Sequence, residues 1–588
     1  MLHIIPEVKK MEYLPGFFDK KGVFCADALD WRLATALEKL PYDRAGAKLE
    51  ICLEGSSGEA YELWIDTDAV RIKADSAAGA FYAIQTLRQI FRHDRIPCLH
   101  IQDQPDFAYR GFYHDVTRGK VPTVNTTKEL IDLMAYYKLN SLQLYVEHSF
   151  EFEEYREVIA STGFLTKDDL REIGQYCQQN FIEFIPSLST FGHLYELLQQ
   201  EQYQHLRALK EYTAAEEPNF WRARMIHHTI DPHDPESLEL IKSLIDQYVP
   251  LFTSNTFNIC CDETFDLHAC VQPTEDEGRL YVDFVKKIID HVKGLGKQVM
   301  MWGDILLKHP ETIDELPADT CFLNWNYSAA PPEENVIRFA QSGRAQIVCP
   351  GTSSWRRFCE RVDQEEKNIC NMAEYGHRHG AFGMLNTNWG DYGNLASLEL
   401  AMYGMVLGAE KSWSASTQID EKFYQAVDFL LYGSEGGVSR LKELSRLQDS
   451  LDWRHFCYHY YGTAYDGTLP SAIKCDIGTI QNNYRSIADK LSREIWGQDE
   501  FRQEMLLAAE GICVVAELYA VSRGDDFSRI TDTERWLCKY RQAWTRKNKE
   551  SELCHIERLL LSCEKTRFCR EVGAESGRLY NTKPASGD

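Results

Sequence analysis

Short apolar runs alternate with amphipathic stretches from about residue 108 to residue 411, and this alternation limits the possible folds more than any other feature. Such alternation is typical of a parallel sheet covered by helices. Eight runs are predicted as strands, at residues 110–116, 141–146, 181–188, 256–261, 298–302, 321–325, 346–349 and 382–388. Eight strands within about 300 residues predict an α/β fold, a (β/α)8 TIM barrel. A doubly wound open sheet would give a similar alternation and stays open as the alternative.

Two helix starts inside this region carry capping signals. Thr126 and Glu129 have the spacing of a capping box, in which two side chains satisfy free backbone N–H groups. Asp234 precedes Pro235, and a proline at the first helical position needs no hydrogen-bond partner for its nitrogen. We therefore predict one helix capped by Thr126 and another capped by Asp234.

The segments on either side of this region have a different character. Residues 61–65 and 70–74 alternate like half-buried strands, and residues 77–90 have helical spacing. Residues 421–431, 438–451 and 502–521 have the spacing of amphipathic helices. We therefore predict a small α/β N-terminal domain at 1–105, the barrel at 106–415 and an α-helical C-terminal domain at 416–588.

The length and charge of the chain bear on its partners. At 588 residues the chain is too long for one hydrophobic core, which agrees with several domains. A formal net charge of −25 leaves no basic excess to neutralise phosphate groups, so nucleic acid and anionic membranes are not expected partners. No stretch approaches about 18 consecutive apolar residues, so no membrane span is expected.

The 18 cysteines are scattered singly, apart from the adjacent Cys260 and Cys261. Because the chain begins without an apolar export signal and has no repeated CxxC framework, reduced thiols and a cytoplasmic location are expected. Cys260, Cys261, His268 and Cys270 lie close together in the sequence, but their spacing follows no zinc pattern. We therefore expect no metal and no cofactor.

Two adjacent acids, Asp262 and Glu263, directly follow the fourth predicted strand. The active site of a TIM barrel lies at the carboxyl ends of its strands. Because successive strand residues point to opposite faces, both acids reach one pocket only where the chain is already leaving the strand. Hydrolysis of a glycosidic bond needs one protonated and one ionised carboxyl group, which such a pair supplies. The alternative is a solvated surface dipeptide without catalytic role.

The residues around these acids resemble a known family. The sequence FNICCDE at 257–263 resembles the signature of glycoside hydrolase family 20, usually aromatic-His-Ile-Gly-Gly-Asp-Glu. It departs from that pattern at Asn258, Cys260 and Cys261. Five further segments match the family in order and spacing: YRGFYHDVTR at 109–118, FGH at 191–193, MWGD at 301–304, NWN at 324–326 and WGDY at 389–392. The resemblance covers about residues 50–410 and leaves the C-terminal helices outside.

The resemblance implies a retaining, exo-acting β-N-acetylhexosaminidase for terminal N-acetylglucosamine or N-acetylgalactosamine. The family is substrate-assisted: the 2-acetamido oxygen of the sugar attacks the anomeric carbon and forms an oxazolinium intermediate. By resemblance, Glu263 is the general acid and then the base that activates water. Asp262 stays ionised, accepts the acetamido N–H and stabilises the developing positive charge.

The main sugar contacts also follow from the resemblance. Arg110 would bind ring hydroxyls with its forked donors. Asp391 would accept the O4 and O6 hydrogens, although the family usually has the longer glutamate there. Three tryptophans would enclose the acetamido methyl group and stack under the ring, namely Trp302, Trp325 and Trp389.

The remaining assignments concern the edge of the pocket. His193 would have a supporting role, and Glu147 stands where the family usually has two aspartates. The tyrosine that hydrogen-bonds the acetamido oxygen has no clear match, so Tyr327 and Tyr392 are both candidates. Trp355 would contact the aglycone.

Two other functions stay open at this point. A retaining β-glycosidase of another TIM-barrel family would use two separated carboxyl groups about 5 Å apart and would accept plain 2-hydroxyl sugars. A catalytically inactive sugar-binding protein would need no general acid. The sequence leaves open the preference between the two acetamido sugars, the aglycone, and whether the C-terminal helices cover the pocket edge or form a homodimer.

Overall fold

The computed structural model describes residues 2–18, 22–25, 30–41, 46–159, 163–211, 219–225, 228–463 and 469–571. The side chains of the last helix are described as far as residue 565.

The N-terminal part of the chain forms a six-stranded sheet in the order β1-β6-β4-β5-β3-β2. Its strands are β1 (Lys10–Phe18), β2 (Val23–Phe24), β3 (Ala47–Leu53), β4 (Tyr61–Ile65), β5 (Ala69–Ala74) and β6 (Ile96–Asp103). The helices Trp31–Leu37 and Ala77–Ile90 accompany the sheet, and the second is buried along most of its length. The strands and the helix predicted here are confirmed, with β5 beginning one residue earlier than predicted.

Eight parallel strands close into a barrel. They are β7 (Tyr109–Asp115), β8 (Ser141–Val146), β9 (Glu183–Leu188), β10 (Thr256–Asn258), β11 (Gln298–Trp302), β12 (Cys321–Trp325), β13 (Gln346–Cys349) and β14 (Gly383–Asn388). The first of these strands, β7, pairs in parallel with both β8 and β14, which closes the barrel. The predicted TIM barrel is therefore confirmed, and the open-sheet alternative is wrong.

Strand β10 is shorter than predicted, and the difference matters for the site. The prediction extends to residue 261, whereas the strand ends at Asn258. Cys260, Cys261 and Glu263 have φ angles of 57°, 63° and 48°, so the chain leaves the barrel wall through left-handed conformations. The side-chain oxygen of Asn258 accepts the N–H of Cys260 at 3.0 Å and holds the start of this turn. The turn releases the two acids from the strict alternation of a strand.

Helices follow the barrel strands and cover them. They are Val124–Tyr136, Arg156–Ile159, Lys167–Gln179, Tyr195–Leu198, Phe220–Arg224, Pro235–Tyr248, Glu277–Gly294, Asp304–Lys308, Glu333–Gln341, Val362–Arg378 and Met402–Trp413. The N-cap predicted at Asp234 is confirmed, because its side chain accepts the N–H of Glu236. The cap predicted at Thr126 is wrong: the extended Thr123 caps that helix and accepts the N–H of Thr126, so the helix begins earlier.

The C-terminal part is helical, as predicted. Its α-helices are Glu421–Val427, Gly437–Asp449, Trp453–Tyr461, Ile477–Arg493, Asp499–Arg523, Thr533–Lys547 and Leu553–Glu571, with a π-helical turn at Asp428–Tyr432. Among the described residues, the helix Asp499–Arg523 is long and apolar enough to cross a membrane, but 72% of its most apolar window is buried inside the protein. It packs against four neighbouring helices, which is the environment of a core helix.

The C-terminal helices contact the loops at the carboxyl ends of the barrel strands. Glu552 forms a 2.6 Å ion pair with Arg224, and both side chains are buried. Tyr540 donates a hydrogen bond to the backbone oxygen of Leu395 at 3.0 Å, and Ser551 donates one to the backbone oxygen of Gly119. These loops carry the residues of the candidate site.

Candidate active site

Asp262 and Glu263 face one histidine from the neighbouring strand end. The Nε2 atom of His193, which follows β9, lies 3.3 Å from Asp262 Oδ2 and 3.4 Å from Glu263 Oε2. The side chain of Asp262 is 10% exposed and that of Glu263 is 26% exposed. The left-handed turn after β10 therefore brings two carboxyl groups to the same pocket, as the catalytic interpretation of the pair requires.

The protonation of His193 depends on opposing neighbours. Burial lowers its pKa, but the negative charges and hydrogen bonds of Asp262 and Glu263 outweigh burial and the Arg118 guanidinium, and raise the pKa to about 10. Arg118 Nη2 lies 3.2 Å from Nδ1, and a guanidinium can only donate. In the neutral imidazole, Nδ1 accepts from Arg118 and Nε2 carries the hydrogen. In the imidazolium both nitrogens carry a hydrogen, so Nε2 donates toward the acids in either state. The His193 ring stacks on His228 at 4.4 Å, which holds its orientation.

A third carboxyl group lies beneath the pair. Asp304 follows β11, and its Oδ2 accepts the backbone N–H of Glu263 at 3.1 Å. Burial and the negative charges of Asp262 and Glu263 raise the pKa of Asp304 to about 7. Asp304 was not among the predicted site residues, although an acid directly after a predicted strand was a signal that could have identified it.

Arg118 lies at the centre of the pocket. Its Nη1 lies 2.8 Å from Asp391 Oδ1, and its Nε lies 3.2 Å from Glu147 Oε1. Its Nη2 donates to the hydroxyl of Tyr145 at 3.1 Å. The side chain is buried, so its charge is balanced by the acids around it rather than by solvent. Sequence reasoning missed Arg118, although it follows β7 at the carboxyl end, where barrel active sites lie.

The predicted sugar-binding role of Arg110 is corrected by its position. Arg110 is the second residue of β7 and therefore lies at the amino end of the strand, away from the acids. Its Nη1 lies 2.5 Å from Glu59 Oε2, and its Nε donates to the backbone oxygen of Lys138 at 3.0 Å. Arg110 thus joins the barrel to the N-terminal sheet.

Aromatic rings form the floor and one wall of the pocket. The ring centroids of Trp302 and Trp389 are 5.9 Å apart, and Tyr113 lies 5.2 Å from each of them. Tyr145 packs against Trp389 at 5.1 Å. The two predicted tryptophans therefore meet at one surface, together with two tyrosines that the sequence did not single out.

The other predicted aromatic residues continue this wall. Trp389 Nε1 donates to the Tyr327 hydroxyl at 2.7 Å. The Tyr327 ring stacks on Trp325 at 5.1 Å and meets Trp355 edge-on at 5.0 Å. Through Tyr327 these residues are joined to the Trp302–Trp389 surface.

The family models place this arrangement among known proteins. Residues 107–425 match the catalytic domain of glycosyl hydrolase family 20, and residues 1–104 match domain 2 of that family. The chain belongs to glycosyl hydrolase family 20. The family 20 resemblance of the sequence motifs is therefore confirmed.

Several curated relatives share part of this family 20 chain. A beta-hexosaminidase of Porphyromonas gingivalis is 28% identical over 289 residues, which are 42% of this chain and 36% of the relative. One of Emericella nidulans is 24% identical over 315 residues, 48% of this chain and 50% of the relative. The match thus spans half or less of the length of these two relatives.

Solved structures share the fold. A GH20 exo beta-N-acetylglucosaminidase from Vibrio harveyi, in complex with N-acetylglucosamine, has a TM-score of 0.56 at 20% identity, covering 72% of this chain and 75% of that one. The Flavobacterium johnsoniae chitobiase has a TM-score of 0.61 at 16% identity, covering 92% of this chain and 96% of that one.

Two predicted residues of this family 20 protein have other surroundings than expected. The hydroxyl of Tyr392 lies 3.1 Å from that of Tyr458 in the C-terminal helices, so Tyr392 is directed away from the acids. Of these two candidates, Tyr327 is the one that contacts Trp389 in the aromatic wall. Glu147 is buried beside Arg118 and also accepts from Tyr145 at 2.8 Å, so one of its oxygens orients the arginine.

Two groups of described residues have atoms close enough for a shared metal ion. The ligand atoms of His193, Asp262 and Glu263 lie within 4.8 Å of one another, and so do those of Asp231, His233 and Cys270. Burial and the charge of Asp231 raise the pKa of Cys270 to about 12, and burial and Asp262 do the same for Cys260. Of the two groups, the second contains a cysteine, whose thiol would lose its proton to a bound zinc ion, and the first offers one imidazole and two carboxylates.

Proposed function

We propose that this family 20 protein removes terminal β-linked N-acetylhexosamine from glycosides with retention, by substrate-assisted hydrolysis. The observation that carries the proposal is the pair Asp262 and Glu263, which converge on His193 beside the Trp302–Trp389 surface. In this family the catalysis is substrate-assisted, so neither of the two acids is the nucleophile. The substrate's acetamido oxygen then supplies the nucleophile.

Asp262 has the surroundings of an acceptor for the acetamido N–H. Its Oδ2 faces His193, while its Oδ1 is buried and has no hydrogen-bond partner among the described residues. A buried carboxylate oxygen without a partner is costly unless a ligand donates to it. The N–H of a 2-acetamido group would satisfy Oδ1 and orient the carbonyl oxygen toward the anomeric carbon.

Glu263 is the more exposed acid and can reach both a leaving group and a water molecule. The hydrogen bond from its backbone N–H to Asp304 holds its position in the turn. In the proposed reaction Glu263 gives a proton to the glycosidic oxygen and then takes one from water. Arg118 and Asp391, which lie 2.8 Å apart, supply a donor and an acceptor for ring hydroxyls.

The test is release of 4-nitrophenol from matched β-glycosides of N-acetylglucosamine, N-acetylgalactosamine and glucose. Turnover of the acetamido sugars without turnover of glucose supports substrate assistance, and their ratio measures the sugar preference. Equal turnover of glucose would contradict the mechanism and favour a conventional retaining glycosidase. No turnover together with sugar binding would favour a catalytically inactive binding protein.

The first variant to make is Asp262→Asn. We expect it to lower kcat for the acetamido substrates by about 100-fold to 1,000-fold, because it removes an ionised group next to the developing positive charge. The control is Asp276→Asn, which changes an exposed acid that caps the helix Glu277–Gly294. Wild-type kcat in D262N would remove Asp262 from the mechanism.

We further propose a cytoplasmic location. The described cysteines are free thiols, and reduced thiols are typical of proteins in the cytoplasm. Fractionation of the native host followed by activity assays tests this proposal, since activity in a secreted fraction would contradict it.

A further inference from the structure

A second cavity adjoins the aromatic wall of the pocket at Tyr327 and Trp355, and the proposed reaction does not use it. The cavity has a volume of about 300 Å³. Five cationic side chains line it, namely Arg356, Arg357, Arg361, Arg454 and Lys474. Its lining includes one carboxyl group, that of Asp452. We call this the basic cavity; it contrasts with the formal net charge of −25 for the whole chain.

The basic cavity is continuous with the active site. Tyr327 and Trp355 line it, and Tyr327 also accepts the hydrogen bond from Trp389 in the sugar pocket. Arg356 Nη2 lies 3.9 Å from Asp391 Oδ2. A substrate seated on Trp389 therefore has the basic cavity within reach of one substituent or one neighbouring sugar.

The positive charge of the cavity is only partly balanced. Arg357 lies 2.7 Å from Asp449 Oδ1, and Arg361 approaches the same oxygen at 3.4 Å. The buried Nε of Arg361 makes this 3.4 Å ion pair with Asp449 without the geometry of a hydrogen bond. Burial, and then the nearby charges of Arg357 and Arg356, lower the pKa of Arg361 against the opposing charges of Asp449 and Asp452. The three guanidinium groups line the same cavity. Such a group of like charges suits an anion.

We propose that the basic cavity binds an anionic group of the substrate, a sulfate, phosphate or carboxylate, carried by the terminal sugar or by the leaving group. The inference rests on the proposed function, because it assigns a further subsite to the same reaction. Guanidinium forks bind the oxygens of these anions in pairs, which a neutral hydroxyl cannot match.

The test compares charged and neutral substrates that are otherwise matched. For the terminal sugar, the pair is 4-nitrophenyl β-N-acetylglucosaminide with and without a 6-sulfate. For the leaving group, the pair is β-N-acetylglucosamine linked to glucuronic acid or to glucose. We expect kcat/KM to be about tenfold or more higher for the charged member of one pair, and that pair identifies which part of the substrate carries the anion.

The double variant Arg361→Gln/Arg454→Gln should abolish this advantage and leave kcat/KM for the neutral 4-nitrophenyl glycoside unchanged. The matched control is Arg446→Gln, an exposed arginine of the helix Gly437–Asp449 that lies outside the cavity lining. Raising the salt concentration from about 0.05 M to about 0.5 M should reduce the advantage in the wild type, since salt screens exposed charges.

Two outcomes would overturn the inference: equal kcat/KM within both pairs, or a charge preference that persists in the double variant. The neutral glycoside separates this test from the test of the proposed function, because its turnover does not need the cavity. If no substrate is turned over, calorimetric titration with N-acetylglucosamine 6-sulfate and with glucuronic acid measures anion binding directly. The wild type should bind one of these anions more tightly than the double variant does. Binding of neither anion, or equal binding to both proteins, would then contradict the inference.

Discussion

At the scale of single residues, one arginine joins the polar groups of the pocket. Arg118 contacts Glu147 after β8, His193 after β9 and Asp391 after β14. A planar guanidinium has five donors in a rigid arrangement, so it sets the relative positions of these three groups. A lysine has one flexible ammonium group and cannot keep all three contacts.

The first residue-scale prediction compares Arg118→Lys with Arg110→Lys. We expect R118K to lower kcat/KM by about 100-fold, because small displacements of reacting groups have effects of this size. We expect R110K to lower the melting temperature through the buried Glu59 contact while kcat/KM stays near the wild-type value. Steady-state kinetics and thermal melts of both variants check this, and the reverse pattern would return Arg110 to the substrate site.

The second residue-scale prediction concerns the pH dependence of stability at Asp304. Its pKa is raised from 3.8 to about 7. At pH values in the window between these two, the folded protein holds a proton on Asp304 that the unfolded chain has released. This carboxyl group therefore makes folding less favourable as pH rises through the window. We expect Asp304→Asn to raise the melting temperature by about 1–2 °C relative to wild type at about pH 8, and by less at about pH 5.

Asparagine keeps an oxygen for the N–H of Glu263, so Asp304→Ala is the control for loss of that hydrogen bond. A difference between D304N and wild type that stays constant with pH would show that Asp304 does not titrate in this window.

At the scale of elements, the loop after β9 and the turn after β10 are in direct contact. A Cβ atom at Gly192 would lie 2.4 Å from the backbone oxygen of Asp262, closer than atoms can approach. The glycine therefore lets the His193 loop and the turn with the two acids pack together. The distance between the histidine and the carboxyl groups depends on this packing.

We predict that Gly192→Ala lowers kcat/KM by about 100-fold, because the acids must move away from His193. The control is Gly294→Ala at the end of the helix Glu277–Gly294, where an added Cβ meets nothing within 4 Å. That change should stabilise the protein by up to about 1 kcal/mol and leave the kinetics unchanged. Unaltered kinetics in G192A would mean that the two loops adjust independently.

At the scale of the whole molecule, the C-terminal helices stabilise the loops that carry the site. Arg224 lies between Glu196 at 2.7 Å and Glu552 at 2.6 Å, which joins the last part of the chain to the loops after β9. Ser551 bonds to Gly119, the residue after Arg118. The helical region is therefore part of the structural support of the pocket.

We predict that Glu552→Ala destabilises the protein by about 3–5 kcal/mol, because it leaves Arg224 buried with one partner fewer. The control is Arg493→Ala, which removes the exposed ion pair with Asp489 and should change stability little. Chemical unfolding of both variants measures the difference, and equal unfolding curves would show that the Glu552 contact contributes no net stability.

The sequence by itself determined the fold class and the position of the two acids. Strands and helices have different local periods, so the barrel strands and the main helices could be predicted from the order of apolar residues. The acids were located because they follow a strand of a barrel. Local patterns therefore sufficed for elements and for the end of the barrel that carries the site.

Only the tertiary structure decided which side chains share the pocket. Arg118 contacts Asp391 in the pocket, whereas Arg110 contacts Glu59. The two ends of β7 face different parts of the molecule, which a motif match does not show. Tyr327 contacts Trp389 in the pocket, whereas Tyr392 turns toward Tyr458 in the C-terminal helices. The five cations of the basic cavity come from segments more than 100 residues apart at their extremes. Side-chain direction depends on strand closure and packing between distant segments, and no local pattern encodes it.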